Sequence, residues 1–478
     1  MTSYPDIQLY IDGKWRTSTE HLPIVNPSDE KQIGLLPIAD QNNLDDAITA
    51  AQKGFAVWSR TAPVERSRII LKAAQLLRER QEEIAQSISL ELGKPIKQSR
   101  LEVIRGCEFF EWDAAEGQRL YGRVIPSAPG VRYLVIRQPI GSVAAFSPWY
   151  FPVSPPARKV AGALASGCSI ILKPAEETPA GAVHIVRAFE DAGLPPGVLN
   201  LVFGRPADIS GYLIPKEAIR LVAFTGSTIV GRHLTTIAAE NMTPVLMELG
   251  GHAPVIVCED VDPVATGVIS ATRKFRNAGQ VCTSPTRFFV HKNLYQPFVE
   301  SFIENASSIQ VGNAMDEDTD MGPVAHIGRL KTLQNFVDDA VQRSAKVLIG
   351  GTRKSGNGYF FEPTVLAEVP DDALVLREEP FGPIAVLNPI NSLQEGIEKA
   401  NNVPYGLASY AFTHSASNVD QLIDGVEAGN LSINTLEASL PETPFGGVKS
   451  SGYGREGGDE GLDHYTVIKN VSHSMKLV

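Results

Sequence analysis

From about residue 132 onward the chain repeats one pattern: a short apolar run, a turn, then a stretch of helical periodicity. The apolar runs lie at 133–136, 142–146, 169–172, 198–202, 221–224 and 254–258, with helical patterns at 156–165, 179–192, 207–214 and 228–239 between them. Strands that alternate with helices are joined by right-handed crossovers, and the result is a parallel sheet covered on both faces. This constrains the fold to the α/β class. Ligands of such sheets bind beyond the carboxyl ends of the strands, so the loops that follow the runs are where chemistry is sought. A second alternating series, from about 262 to 435, predicts a second α/β lobe, with helices at 262–277, 294–306 and 328–344 and strands at 287–291 and 346–349.

The remaining segments are smaller. LYIDGKW reads as a β-hairpin ending near Trp15. Leu44, Ile48, Ala51, Phe55 and Trp58 share one helical face, and a second helix is predicted from about 64 to 92, stopped by Gly93 and Pro95. The tail alternates Tyr465, Val467 and a further apolar run, a strand in search of a partner, with another subunit as one candidate.

Composition excludes several functions. Lys and Arg number 43 against 54 Asp and Glu, a net charge of −11, and nucleic-acid binding needs a basic face. No apolar run approaches the roughly 18 residues of a membrane span, and MTSYPDIQLYIDGKW is not a secretory signal. The expectation is a cytoplasmic protein with no membrane partner. The four cysteines, Cys107, Cys168, Cys258 and Cys282, are far apart and form no CxxC. That argues against a disulfide framework and against a metal site.

Four features stand where the fold predicts chemistry. In FTGSTIVG, Gly226 and Gly231 flank the opening of a helix, where free N–H groups favour an anion such as a pyrophosphate, or form a plain tight turn. Lys173 and Glu176 follow the strand at 169. A carboxylate there can accept both ribose hydroxyls and repel a 2′-phosphate, although two solvated charges at a turn would look the same. Cys282, in GQVC, follows a helix and Gly279, where nearby N–H groups would favour a thiolate. The other three cysteines lie in apolar patterns and read as small buried hydrophobes. Glu248 ends an apolar run before two glycines, and an apolar setting would raise its pKa to suit a general base.

Together LYIDGKW, ELGKP, FSPWYFP, ILKPAEETP, FTGS, ELGG, GQVC, EEPFGP and PFGGVKSSGYGREGG resemble, in order, the motifs of the aldehyde dehydrogenase superfamily, across nearly the whole chain. The resemblance implies a Rossmann-type NAD-binding domain (1–120 and 140–250), an α/β catalytic domain (251–450) and a β oligomerisation ribbon (121–139 and 465–478). It implies that Cys282 is the nucleophile and Glu248 the general base. The cofactor contacts it implies are Phe146, Ser147, Trp149, Lys173, Glu176, Gly226, Ser227, Gly231, Leu249, Glu379 and Phe381, with Asn434 near the cysteine. NAD, rather than NADP, is the implied cofactor, and the implied assembly is a homodimer or homotetramer. The implied reaction is oxidation of an aldehyde to the acid, through a cysteine thiohemiacetal and thioester.

One position departs from the family. Its PWNFP motif supplies an oxyanion asparagine, and here Tyr150 stands in that place. Three readings are open: Tyr150 donates from a rearranged site, the Cys282 N–H suffices, or the enzyme is slow or altered in substrate. Thiol-dependent ester hydrolysis and a catalytically impaired homologue are the alternatives to aldehyde oxidation. Arg158 and Arg276 resemble the pair that binds the distal carboxylate in succinate-semialdehyde dehydrogenases, although Pro155 and Pro156 could displace Arg158. The leading substrate is an ω-carboxylated semialdehyde, with aliphatic or aromatic aldehydes behind it.

Overall fold

The computed structural model describes residues 4–475. The extreme ends of the expected 1–120 and 465–478 segments, 1–3 and 476–478, lie outside them. Two large sheets organise the chain. The first has eight strands, in the order Lys14–Arg16, Leu9–Ile11, Leu199–Leu201, Ser169–Lys173, Ser142–Phe146, Ile219–Thr225, Val245–Glu248 and Gly452–Tyr453. The middle five are parallel. Ser142–Phe146 and Ser169–Lys173 are buried at every residue, which is why they read as unbroken apolar runs. Their registers set Phe146 beside Lys173, and Thr225 beside Glu248, so the carboxyl ends of the strands form one edge.

The second sheet has seven strands: Lys346–Ile349, Thr364–Ala367, Ile384–Ile390, Arg287–His291, Pro254–Val257, Ala408–Phe412 and Asn430–Ile433. All its pairings are parallel except that of Lys346–Ile349. Each large sheet carries its own hydrophobic core.

Four expectations need correction. The run at 254–258 belongs to the second sheet, not the first. The run at 133–136 lies in Val131–Pro139, which has no buried residue and joins a separate antiparallel ribbon with Arg123–Ile125 and Thr466–Ser474. The tail therefore finds its partner within its own chain. The helix expected over 64–92 is two helices, Pro63–Glu79 and Gln81–Leu92, broken at Arg80 (φ −99°, ψ 14°). The helix expected over 262–277 is Pro263–Lys274, capped by Asp262, and then gives way to a tight turn, Arg276–Gly279. In that turn Asn277 and Ala278 take φ of 50° and 54°, which no helix accommodates. The helix Ile96–Glu116 had no counterpart in the sequence reading, because Ser99, Glu102 and Asp113 interrupt its buried face.

Among the described residues no helix is long and apolar enough to cross a membrane. No group of three or more His, Cys, Asp or Glu among them could hold a metal ion.

Candidate active site

A cavity of about 380 Å³ opens between the carboxyl edge of the first sheet and the turn that precedes Cys282. Cys282, Glu248 and Tyr150 all line it. The positive-φ turn Asn277–Gly279 aims the chain so that Cys282 is half-buried at the cavity wall. A Cβ at Gly279 would lie 2.1 Å from the Gly382 oxygen, so only glycine lets the two loops meet there.

Burial works against the thiolate that the sequence leads one to expect. Burial pushes the Cys282 thiol up to about 12, with the carboxyls of Glu379 and Glu248 adding to the rise. Two groups work the other way: the hydroxyl of Tyr150 and the charge of Arg276, both in the lining of the same cavity. The thiol therefore needs a base before it can act.

Glu248 is buried, and neither of its carboxyl oxygens has a hydrogen-bond partner. Burial holds its pKa well above the ordinary value and Glu456 adds to this; Lys159, Arg158 and Arg455 partly offset it. Lys159 is itself buried, with Nζ 2.8 Å from Glu456 Oε1 and 2.7 Å from Thr225 Oγ1. A carboxyl with a raised pKa and unpaired oxygens facing a cavity has the character of a general acid–base group.

The two arginines differ. Arg158 lies in the helix Ser154–Ser166, whose first turn holds Pro155 and Pro156. Its guanidinium stacks 3.9 Å over the Phe109 ring and donates to Ser439 Oγ at 2.9 Å, while its Nη1 is buried without a partner. Arg276 stands in the turn after the helix rather than on it. Its Nε is buried without a partner, and burial lowers its pKa to about 10. Both side chains line the same cavity.

The cofactor candidates gather on the strand-end side. Phe146 ends its strand, and the Ser147 hydroxyl is buried without a partner. Lys173 and Glu176 form an ion pair at 2.8 Å. Ser227 caps the helix Thr228–Ala239, and Gly226 packs against the Phe224 ring at the turn before it. Gly231 lies inside that helix, where a Cβ would come within 2.3 Å of Leu249 Cδ2, so it is a packing glycine rather than part of an anion cradle. Burial raises the Glu379 carboxyl to about 8, with the charges of Arg329 and Lys274 partly offsetting the rise. A Cβ on Gly250 would come within 2.8 Å of Glu379 Oε2, so the backbone stays bare there. Trp149 and Phe381 meet edge to face at 5.5 Å, and Tyr150 meets Phe381 at 5.0 Å. An orphaned hydroxyl, a capped helix N-terminus and two carboxylates suit a dinucleotide with hydroxyl and phosphate groups. Asn434 is the exception. It is exposed at φ 59°, with its amide tied to the Thr413 backbone at 2.8 and 2.9 Å, and it does not line the cavity.

Residues 15–471 match the model of the aldehyde dehydrogenase family. The chain belongs to the aldehyde dehydrogenase family. It is 43% identical over 465 residues to the 4-(hydroxymethyl)benzenesulfonate dehydrogenase TsaD1 of Comamonas testosteroni, covering 97% of each chain. It is 39% identical over 466 residues to the mitochondrial succinate-semialdehyde dehydrogenase of Arabidopsis thaliana, covering 96% of this chain and 88% of that one. The crystal structure of succinate-semialdehyde dehydrogenase from Burkholderia pseudomallei superposes with a TM-score of 0.97, at 36% identity and 99% coverage of both chains. The protein is thus an oxidoreductase acting on aldehydes, in a family that uses NAD(P).

Several residues of this aldehyde dehydrogenase site escaped the sequence reading. Lys94 and Glu102 form a buried ion pair at the cavity, and Phe109, Phe151 and Phe445 supply its aromatic walls. Lys159 and Glu456 sit beside Glu248. The only signal for Lys94 and Glu456 lay inside the motifs ELGKP and GREGG, whose buried charges a single sequence cannot tell from surface ones.

Proposed function

We propose that this aldehyde dehydrogenase oxidises an aldehyde carrying a second, anionic group, through Cys282 and with NAD as acceptor. The observation that carries the reading is Arg276. It is a half-buried cation in the cavity of the nucleophile, its Nε buried without a hydrogen-bond partner and no carboxylate within ion-pair distance among the described residues. An unpaired buried charge is costly unless a ligand satisfies it, and a guanidinium matches a carboxylate or sulfonate with parallel hydrogen bonds.

Glu248 takes the thiol proton, and the Cys282 sulfur bonds to the aldehyde carbon. The carbonyl electron pair moves to oxygen, where the Tyr150 hydroxyl and the Cys282 N–H hold the charge. When bound, the nicotinamide supplies the acceptor for the hydride that the thiohemiacetal expels on collapsing to a thioester. Glu248 gives up the first proton to solvent and then takes one from water; the water oxygen bonds to the acyl carbon, the C–S bond breaks and the sulfur leaves as a thiolate. Phe146, Ser147, Lys173, Glu176, Ser227 and Glu379 would hold the dinucleotide. The Glu176 carboxylate disfavours a 2′-phosphate, which supports NAD over NADP. The chain divides by role as the family motifs imply, with 1–120 and 140–250 binding NAD, 251–450 catalytic, and the ribbon a contact between subunits.

A second reading places an aromatic ring between the aldehyde and the anion. Phe109, Phe151 and Phe445 line the cavity, and the name of the Comamonas relative specifies a benzenesulfonate. Steady-state kinetics with succinic semialdehyde, 4-sulfobenzaldehyde, hexanal and benzaldehyde test both. The anionic aldehydes give the higher kcat/KM. Preference for the neutral pair would overturn the proposal, and the better of the two anions decides between the readings.

A further inference from the structure

We propose that the buried Lys94–Glu102 ion pair is a positioning element for the nucleophile: it fixes the backbone of residues 150–154 so that Tyr150 keeps its place beside Cys282 in the lining of the cavity. The proposal rests on the reading of Tyr150 as the donor to the Cys282 thiol.

The pair spends nearly all its hydrogen-bonding capacity on one segment. Lys94 and Glu102 side chains are 1% and 0% exposed. Lys94 Nζ donates to Glu102 Oε2, and to the Tyr150 carbonyl at 3.1 Å. Glu102 Oε1 accepts the Val153 N–H at 2.8 Å and the Ser154 N–H at 3.3 Å. Lys94 Nζ also lies 3.6 Å from the centre of the Phe151 ring. Four successive contacts thus pin the loop on which Tyr150 stands, from its first carbonyl to the start of the next helix.

The same carbonyl is bonded from the other side. Asn277 Nδ2 donates to the Tyr150 oxygen at 3.0 Å and to the Gln280 oxygen at 2.9 Å. The Asn277 N–H in turn donates to Gln98 Oε1 at 2.9 Å, on the helix that carries Glu102. The Tyr150 carbonyl is therefore a joint between the Lys94 side and the turn that carries Cys282. A buried ion pair contributes little net stability, since well-packed apolar residues replace such pairs at no cost or with a gain. What this pair provides instead is the fixed height of one loop relative to one thiol.

The test is the rate of Cys282 alkylation by iodoacetamide as a function of pH, which requires no aldehyde, with Cys282→Ala to subtract the other thiols. Parent, Lys94→Met, Glu102→Gln, Tyr150→Phe and Lys94→Met/Tyr150→Phe are compared. Losing the hydroxyl, or its placement, disfavours the thiolate. Lys94→Met, Glu102→Gln and Tyr150→Phe each slow alkylation at neutral pH by about tenfold, which corresponds to a rise of about one unit in the thiol pKa. The double variant is no slower than Tyr150→Phe alone, because Lys94 acts through Tyr150. If Lys94→Met does not fold, the near-isosteric Glu102→Gln carries the test. A parental profile in Lys94→Met and Glu102→Gln, with only thermal stability reduced, would overturn the clamp, as would additive effects in the double variant. A parental profile in Tyr150→Phe would overturn the reading of Tyr150 and the clamp with it.

Discussion

Tyr150 and Cys282 line the same cavity, with the Tyr150 ring packed 5.0 Å from that of Phe381. A donor so placed serves the sulfur first and the neighbouring oxyanion afterwards. Removing it costs transition-state stabilisation. Tyr150→Phe lowers kcat/KM for aldehyde oxidation by about 10²–10³, with the KM for NAD unchanged. Tyr150→Asn restores a donor and recovers part of that loss. Steady-state NADH formation reads both.

Arg276→Met separates charge recognition from chemistry. A hydrogen bond to a charged group contributes about 1.5–3 kcal/mol, so kcat/KM for succinic semialdehyde falls by roughly 10–10². Activity on hexanal falls less, because there only the effect of Arg276 on the Cys282 thiol is lost. Because Arg276 has no ion-pair partner to leave stranded, the melting temperature stays at or above that of the parent. Kinetics on the two aldehydes and one thermal melt check all three statements.

Glu248 has a pKa held above the usual carboxylate range by burial and by Glu456. It must ionise to serve as a base, so the parent's hydrolytic rate rises with pH above that range. Glu248→Gln loses this rise and reduces turnover by about 10²–10⁴. The pH profile of kcat distinguishes the two proteins.

Glu91 links pH to stability away from the cavity. It is 1% exposed, and burial raises its carboxyl to about 8, against the favourable bonds from the Tyr4 hydroxyl and the Ala180 N–H. The folded value lies above the unfolded one, so the unfolded chain releases this proton first. Its stabilising contribution is full below about pH 4.5 and declines as pH rises toward 8. Glu91→Gln flattens the fall in stability across that window, as measured by denaturant midpoints at its two ends.

The sequence was most legible where a strand is buried on both faces. Ser142–Phe146 and Arg287–His291 match their apolar runs because every residue in them is buried. It was least legible where polar residues face inward. The helix Ile96–Glu116 hides Glu102 and Asp113 and so lacks a clean apolar stripe. Position along the chain marked Cys282, Glu248 and Tyr150, and the fold brings all three to one cavity. It could not convey the state of the thiol, which depends on burial and on the carboxyls of Glu379 and Glu248, far away in sequence. Nor could it convey that Asn434 bonds to Thr413, since that contact is set by where the strand Asn430–Ile433 ends.

The central claim is that aldehyde oxidation passes through Cys282. Its most direct test is mass spectrometry of the protein quenched during turnover of succinic semialdehyde with NAD, in parent and Cys282→Ala. The account predicts an acyl adduct on the Cys282 peptide of the parent, and neither adduct nor NADH from the variant. NADH formation by Cys282→Ala at the parental rate, or an adduct on another residue, would contradict it.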